Sequence, residues 1–260
     1  MNKHKSSWKK VDYDQYETFK RLSELVEKNG FTKDNPAIPE IAEYFFGFMT
    51  PEGDIRGIYG NQTSPNYTAA ILELLIKAGY EKDSRVKQSL DWLLSNRQSD
   101  GGWALAFRTK GHNLESFDYD ETIEGDPSKP SSAMITGVVL RALVAHPKYK
   151  NRPETKAAAT LVADSIFTPD AYADRKGAEY WTRFGYPFVY TDLISALDSL
   201  SQIEGFSNHP KVKEGLAWLA SRQAPDGMFD LRTTRGKKED QKLWLSLAVN
   251  RIFDRFAAQD

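Results

Sequence analysis

The chain of 260 residues contains no cysteine, and this absence excludes several kinds of chemistry at once. Disulfide bonds, thiolate catalysis and zinc sites with cysteine ligands all require a sulfur atom that the chain does not supply. The chain also lacks any apolar run that approaches about 18 residues, the length that a membrane-spanning helix needs. We therefore expect a protein without a transmembrane segment.

An excess of charge of either sign is missing as well. Lysine and arginine number 35 against 36 aspartate and glutamate, which gives a net charge of -1. Nucleic-acid-binding proteins usually carry a basic excess, so we expect no nucleic-acid partner. The N-terminal stretch MNKHKSSWKKVDYDQYETFKRL is basic but has no apolar region typical of a secretory signal. A cytoplasmic enzyme or binding protein is the expectation.

Several familiar site patterns are also absent. The chain has no Ser-His-Asp arrangement, no phosphate-binding glycine loop and no nucleotide fingerprint, since the Gly101-Gly102 pair follows a helical pattern rather than a strand. We accordingly expect no metal and no cofactor.

What the chain does contain is a repeated pattern of helices and turns. Two stretches share it: NYTAAILELLIKAGYEKDSRVKQSLDWLLSNRQSDGGW, which begins at Asn66, and VYTDLISALDSLSQIEGFSNHPKVKEGLAWLASRQAPDGMF, which begins at Val189. In each, Tyr-Thr opens a helix, a glycine (Gly79 or Gly205) ends it, and a second amphipathic helix follows. The polar pairs Asp83-Ser84 and Ser207-Asn208 are the expected caps of these second helices. Such a helical hairpin cannot bury its apolar face alone, so the repeats should stack.

Further helical patterns cover most of the remaining chain. A third hairpin opens at Thr136 and continues near Pro153, and helices are also predicted in residues 16–30, 38–49 and 237–256. We count about nine helices and no alternating strand. The prediction is an all-α protein, an α/α toroid or open arc of helical hairpins with fewer than about twelve main helices, forming one domain over residues 1–260. An open arc would cover its ends by forming a homodimer.

One of the turns resembles a known family motif. The spacing Gln98-x-x-Gly101-x-Trp103 resembles the QW motif of squalene–hopene cyclases and related terpene cyclases. The segment 126–143 is similar to the one that follows such a turn, and the resemblance covers roughly residues 60–260. It implies a toroid in which the Gln amide ties a helix end while the Trp ring packs on the loop, and it implies an apolar or isoprenoid-like substrate.

The sequence also departs from that family. The second turn has Gln223 one place early and Phe229 where Trp is expected. The Asp-x-Asp-Asp acid of the cyclases is missing before Thr68, Thr136 and Thr191. Neither the cysteine-containing zinc site of protein prenyltransferases nor an Asp-Asp-x-x-Asp magnesium site is present.

An acidic loop, SFDYDETIEGD, offers the candidate catalytic groups Asp118, Asp120 and Glu121. They could act as a general acid in a pocket or hold a hard cation. The alternative is a solvated loop with a helix cap supplied by Asp126 or Ser128.

Aromatic residues supply the candidate binding surface. Six of them fall within residues 180–190, and such rings stabilise carbocations or pack against prenyl chains and sugars. The alternative for the aromatic residues is ordinary core packing. The alternative for His112 is a histidine in an exposed loop, and that for Arg56 is an ion pair within a turn. The candidate substrate-binding residues are Arg56, Trp103, His112, Phe117, Tyr119, Tyr180, Trp181, Tyr186 and Tyr190.

Three functions remain open from the sequence. The first is an enzyme that acts on an isoprenoid or other apolar substrate in an aromatic-lined cavity, a terpene-cyclase-like isomerase or lyase without the usual acid motif. The second is a non-catalytic binding or scaffold protein. The third is a glycan-active lyase or hydrolase, which would need paired carboxylates or a Tyr–His pair.

Overall fold

The computed structural model describes residues 13–112, 121–172, 177–234 and 236–259, and these ranges form α-helices joined by turns. They contain no β-sheet, only three isolated bridges. The prediction of an all-α fold with fewer than about twelve helices is confirmed. The chain divides into two compact units, one ending at Ser131 and the other beginning at Ser132.

The first unit consists of two helical hairpins and one short helix. Its helices are α1 (Tyr13–Ser23, extended by a wider turn Glu24–Lys28), α2 (Ala37–Phe46), α3 (Pro65–Leu75, extended by a wider turn Ile76–Tyr80), α4 (Ser84–Ser95) and α5 (Ala106–Thr109). Helix α1 packs against α2 and α3, and α3 packs against α4.

The second unit repeats the arrangement and adds a closing helix. Its elements are α6 (Ala133–Ala145), α7 (Pro153–Asp164), a 3₁₀ turn (Ala178–Thr182), α8 (Leu193–Leu200), α9 (Pro210–Ala220) and α10 (Lys238–Ala257). Helix α6 packs against α7 and α8, α8 packs against α9, and α10 packs against α8.

Burial differs between the two helices of a hairpin. The first helices α3, α6 and α8 are buried along almost their whole length, whereas α4 and α9 bury a single face. A helix covered on several sides must be apolar all round, and a helix covered on one side needs only a stripe. No helix in the described ranges is both long and apolar enough to cross a membrane. The single domain and the toroid or arc stay predictions.

The predicted helix boundaries are only partly correct. Asp83 caps α4 by accepting a hydrogen bond from the Arg85 amide, and Gly79 has positive φ in the wider turn that ends α3, as expected for a helix stop. The helix stop expected at Gly205 is wrong, because α8 already ends at Leu200, although Gly205 also has positive φ. The expected Ser207-Asn208 cap is wrong, because α9 begins at Pro210 with His209 before it. Proline at the first helical position fixes φ and has no amide to satisfy, so the helix starts without a side-chain cap.

The cap expected for α6 is also wrong. Neither Asp126 nor Ser128 reaches the helix, because the Asp126 carboxylate accepts from the amide and hydroxyl of Ser128 in a local turn. Ser132 is the cap instead, and its hydroxyl accepts from the Ile135 amide at 3.2 Å. The cap lies next to the helix because only there can a short side chain reach the free amides of the first turn.

A six-residue turn follows the second helix of three hairpins. These closing turns are residues 50–55, 98–103 and 224–229. In each, the first amide donates to the fifth carbonyl at 2.7 to 2.8 Å, and the amide of the fourth residue donates to the first carbonyl at 2.9 to 3.0 Å. The fourth residue is a glycine with φ between +81° and +110°, a conformation that glycine adopts without strain.

The sixth residue of every closing turn is buried. Ile55, Trp103 and Phe229 are at most 1% exposed. Burying a side chain of this size contributes roughly 1.5–3 kcal/mol, so each turn anchors the end of its hairpin in the core. The turn at 50–55 was not predicted as a repeat, although Thr-Pro-Glu-Gly-Asp-Ile has the same glycine and apolar positions as Ala-Pro-Asp-Gly-Met-Phe.

In the turn 98–103 the roles implied by the QW resemblance are exchanged. The Trp103 indole N–H donates to the Leu93 carbonyl at 2.7 Å and so ties the end of α4. The Gln98 amide donates to the carbonyls of Asp126 and Lys129, at 2.8 and 2.9 Å, and ties the returning loop. The indole reaches inward to the helix because Trp103 is the buried residue of the turn, and Gln98 is left facing the loop.

Replacing Gly227 by alanine tests the conformation of the closing turn. Nothing lies within 4 Å of the added methyl group, so the cost comes from φ alone, which is +81°. We expect Gly227→Ala to lower the free energy of unfolding by about 1–2 kcal/mol in urea titrations of the whole chain.

The matched control is Gly177→Ala in the same unit. Gly177 has φ of -116°, and the nearest atom to an added methyl stands at 3.9 Å. This variant should change stability by less than about 0.5 kcal/mol. Equal losses for the two variants would mean that the positive φ is not what the turn requires.

Candidate functional site

Three aromatic residues of the second unit, Tyr186, Phe188 and Trp244, pack together into one partly exposed surface, which we call the aromatic face. The rings of Tyr186 and Trp244 stack with centroids 5.7 Å apart and planes 9° apart. Phe188 meets Tyr186 edge-on at 5.2 Å. Tyr186 is buried, Phe188 and Trp244 are half-buried, and Tyr190 is 54% exposed. The face therefore presents aromatic carbon at the surface of its unit.

A buried glutamine from α10 holds this face in place. The Gln241 amide accepts from the Tyr186 amide and donates to the Tyr186 carbonyl, both at 2.7 Å, and its side chain is only 2% exposed. Trp244 stands three residues later, on the same side of the helix. One turn of α10 thus positions the backbone of Tyr186 through Gln241 and its ring through Trp244.

A buried arginine borders the same face. Arg141 of α6 is 4% exposed, and its guanidinium carbon lies 6.0 Å from the centre of the Phe188 ring. One of its nitrogens donates to the Tyr190 carbonyl at 3.4 Å. Contacts of a guanidinium with an aromatic ring are favourable, so Arg141 helps to fix the segment that carries Phe188 and Tyr190.

Two predicted binding residues lie inside the second unit. Trp181 is fully buried and donates its indole N–H to the Thr168 carbonyl at 2.9 Å. Tyr180 is 7% exposed, and its ring lies 4.9 Å from that of Trp181. The short 3₁₀ turn directs both rings inward, so of the predicted aromatic residues that the structure describes, only Tyr186 belongs to the aromatic face, while Tyr190 is exposed.

The predicted binding residues of the first unit are dispersed. Trp103 is the buried residue of its closing turn. His112 is half-buried, and its backbone carbonyl accepts from an Arg108 guanidinium nitrogen at 3.0 Å. Asp118, Asp120, Phe117 and Tyr119 lie outside the described residues. Glu121 is exposed, and its backbone carbonyl accepts a hydrogen bond from the Gln62 side chain.

Arg56 forms an ion pair with Asp54 of the first closing turn, and Asp54 in turn bonds to α3. The Arg56 Nε lies 3.0 Å from the Asp54 carboxylate, and a terminal nitrogen donates to the Asn61 carbonyl. The other oxygen of Asp54 accepts from the Thr68 hydroxyl at 2.9 Å. Asp54 is 1% exposed, and this burial raises its pKa above the ordinary value, because Arg56 and Thr68 only partly offset the loss of water.

Three acidic side chains are buried in the described ranges, and each has a structural partner. Besides Asp54, Glu73 accepts from Lys77 at 2.7 Å, and Asp192 caps α8 by accepting from the Ser195 amide at 2.8 Å. A carboxylate at a helix N-terminus is stabilised in its charged form, which suits a cap better than a proton donor. Within the same ranges, no three acidic or histidine side chains stand close enough to hold a metal ion.

Sequence reasoning missed most of what builds the aromatic face. Phe188 was counted only as part of an aromatic-rich stretch, and Gln241, Trp244 and Arg141 were not singled out. A signal existed for one of them, since a tryptophan three residues after a glutamine marks one side of α10. Its partner Tyr186 lies 55 residues before Gln241, and no local pattern links the two.

The chain matches no protein-family model, and no curated protein is significantly similar to it in sequence.

The pKa of Asp54 predicts how stability depends on pH. A carboxyl group whose pKa is higher in the folded state holds its proton more tightly there, so it adds stability as pH falls through that value. We expect the unfolding free energy of the wild type, relative to Asp54→Asn, to rise between pH 7 and pH 4 in urea titrations.

The control is Glu52→Gln, which removes an exposed negative charge from the same closing turn. It separates the effect of buried Asp54 from a general effect of charge in the turn. A wild type that loses stability relative to Asp54→Asn as pH falls would contradict the assignment, since it would show a carboxyl group held in its charged form.

Proposed function

We propose that the protein binds an apolar, isoprenoid-like ligand on the aromatic face of its second unit. The observation that carries this proposal is the stacked pair Tyr186 and Trp244 with Phe188 against it, held by Gln241 yet partly open to solvent. Aromatic rings that a scaffold holds rigidly offer a large contact area without losing side-chain freedom on binding.

The chemistry of the face favours an apolar ligand over a sugar. Its rings are mostly carbon, with the Tyr186 hydroxyl and the Trp244 indole N–H as their polar groups, and the polar atoms of Gln241 are already used by the Tyr186 backbone. A sugar needs several hydrogen-bonding groups placed around a ring, whereas a prenyl chain needs mainly apolar contact. The resemblance of the turn at Gln98 to the QW motif supports the same class of ligand.

Equilibrium dialysis with radiolabelled farnesol tests the binding. We expect measurable binding to the wild type and at least a tenfold weaker affinity for Trp244→Ala and Phe188→Ala, because each removes an aromatic ring that the ligand contacts. Melting curves of each variant establish that the chain is folded.

The matched control is Trp218→Ala. Trp218 is a half-buried tryptophan of α9 in the same unit, and it packs against Phe167 and Phe184 instead of the aromatic face. Its loss should leave farnesol affinity within a factor of two. An equal loss of affinity in all three variants, or tighter binding of maltotriose than of farnesol, would overturn the proposal; the second result would favour the glycan-binding alternative.

Catalysis is a separate proposal from binding on the aromatic face, and its candidate proton donors are Asp118, Asp120 and Glu121 of the first unit. The test is incubation of the whole chain with farnesyl diphosphate and with squalene, followed by product analysis. If these acids act, Asp118→Asn, Asp120→Asn and Glu121→Gln should lower turnover by at least tenfold while farnesol affinity stays the same. Binding without any product would leave a non-catalytic binding protein as the function.

A further inference from the structure

A cleft in the first unit has no role in the function proposed above. Its volume is about 360 Å³, and it is bordered by the end of α4, the start of α3 and the segment 122–127. Ligand pockets range from roughly 300 to 1,000 Å³, so this cleft suits a small molecule. None of the predicted catalytic or substrate-binding residues lines this cleft.

Two side chains of opposite charge line this cleft from different segments. Arg97 follows α4, and Glu124 lies in the returning segment. The Arg97 Nε donates to the Leu94 carbonyl at 3.0 Å, which orients the guanidinium. In the described part of the chain neither side chain forms an ion pair. The two charged groups therefore stand more than 4.0 Å apart.

The remainder of the lining provides apolar contact. Trp92, Pro65 and Ile123 border the same cleft as the two charges. Trp92 is mostly buried and therefore held in a fixed position. The cleft thus combines one positive group, one negative group and an apolar surface within the reach of a single small ligand.

We propose that this cleft binds a small zwitterion of the α-amino-acid class. The ligand carboxylate pairs with the Arg97 guanidinium, which matches a carboxylate with two parallel N–H donors. The ligand ammonium pairs with Glu124, and an apolar side chain lies against Trp92, Pro65 and Ile123. A ligand that carries both charges satisfies the two protein groups that are too far apart to satisfy one another.

Calorimetry with three related probes tests the assignment. The probes are L-phenylalanine, N-acetyl-L-phenylalanine, which lacks the ammonium, and L-phenylalanine amide, which lacks the carboxylate. We expect the whole chain to bind L-phenylalanine at least tenfold more tightly than either blocked form, because each blocked form leaves one protein charge without a partner.

Variants then connect each charge to its partner. Arg97→Gln should weaken binding of L-phenylalanine at least tenfold without changing the affinity for L-phenylalanine amide. Glu124→Gln should weaken binding of L-phenylalanine similarly without changing that for the N-acetyl form. The controls Arg232→Gln and Glu204→Gln remove exposed charges in the second unit and should change neither affinity.

Several results would contradict the proposed binding of an amino acid in this cleft. Equal affinity for the three probes, or no effect of Arg97→Gln and Glu124→Gln, would overturn the proposal. Binding of uncharged maltose without binding of L-phenylalanine would do the same and would assign the cleft to a saccharide. Trp244→Ala should leave this binding unchanged, so a failure here is distinct from a failure at the aromatic face.

Discussion

Burial of the last residue of the closing turn is the constraint on which the three hairpins with such a turn depend. The apolar side of a helical hairpin does not by itself fix the position of the hairpin's free end, so a further contact must anchor that end. Here Ile55, Trp103 and Phe229 provide that contact, each fully enclosed at the end of the same hydrogen-bonded turn. The glycine two residues before the buried side chain lets the backbone reverse tightly enough to direct that side chain inward.

Anchoring by a buried side chain also explains the aromatic face. Its exposed aromatic surface would be a liability if the rings were free to move, because exposed apolar groups favour non-specific contact. Gln241 prevents this movement by binding both backbone groups of Tyr186, and Trp244 stacks on the ring of that residue. The second unit therefore presents its aromatic surface from a rigid base, which is the arrangement that a ligand surface requires.

The prediction succeeded at several places where the controlling interaction is local. The all-helical class, the cap at Asp83, the helix start at Pro153 and the stop at Gly79 all depend on residues within one or two turns of each other. It was wrong where two alternatives were equally local. Helix α9 begins at Pro210 and is not capped by Ser207-Asn208. Asp126 and Ser128 form a hydrogen bond with each other, and Ser132 caps α6.

For the candidate site, the difference between what the sequence predicts and what only the structure shows is larger. The aromatic richness of residues 180–190 was readable, but which rings stay at the surface was not: Trp181 is fully buried whereas Phe188 and Tyr190 are partly exposed, and no local pattern separates them. The exchange of roles between Gln98 and Trp103 was equally hidden, because both can donate a hydrogen bond and only the path of the returning loop decides which acceptor each one meets.

The amino-acid sequence alone determined the helical hairpins, their repeat and the turns that end them, because helical periodicity, glycine conformation and proline geometry act over a few residues. Only the tertiary structure decided that Gln241 meets Tyr186 and that Arg97 and Glu124 border one cleft. These contacts and this shared cleft involve residues that lie tens of positions apart in the sequence. Their energy comes from burial and hydrogen bonds that exist only after the helices have packed.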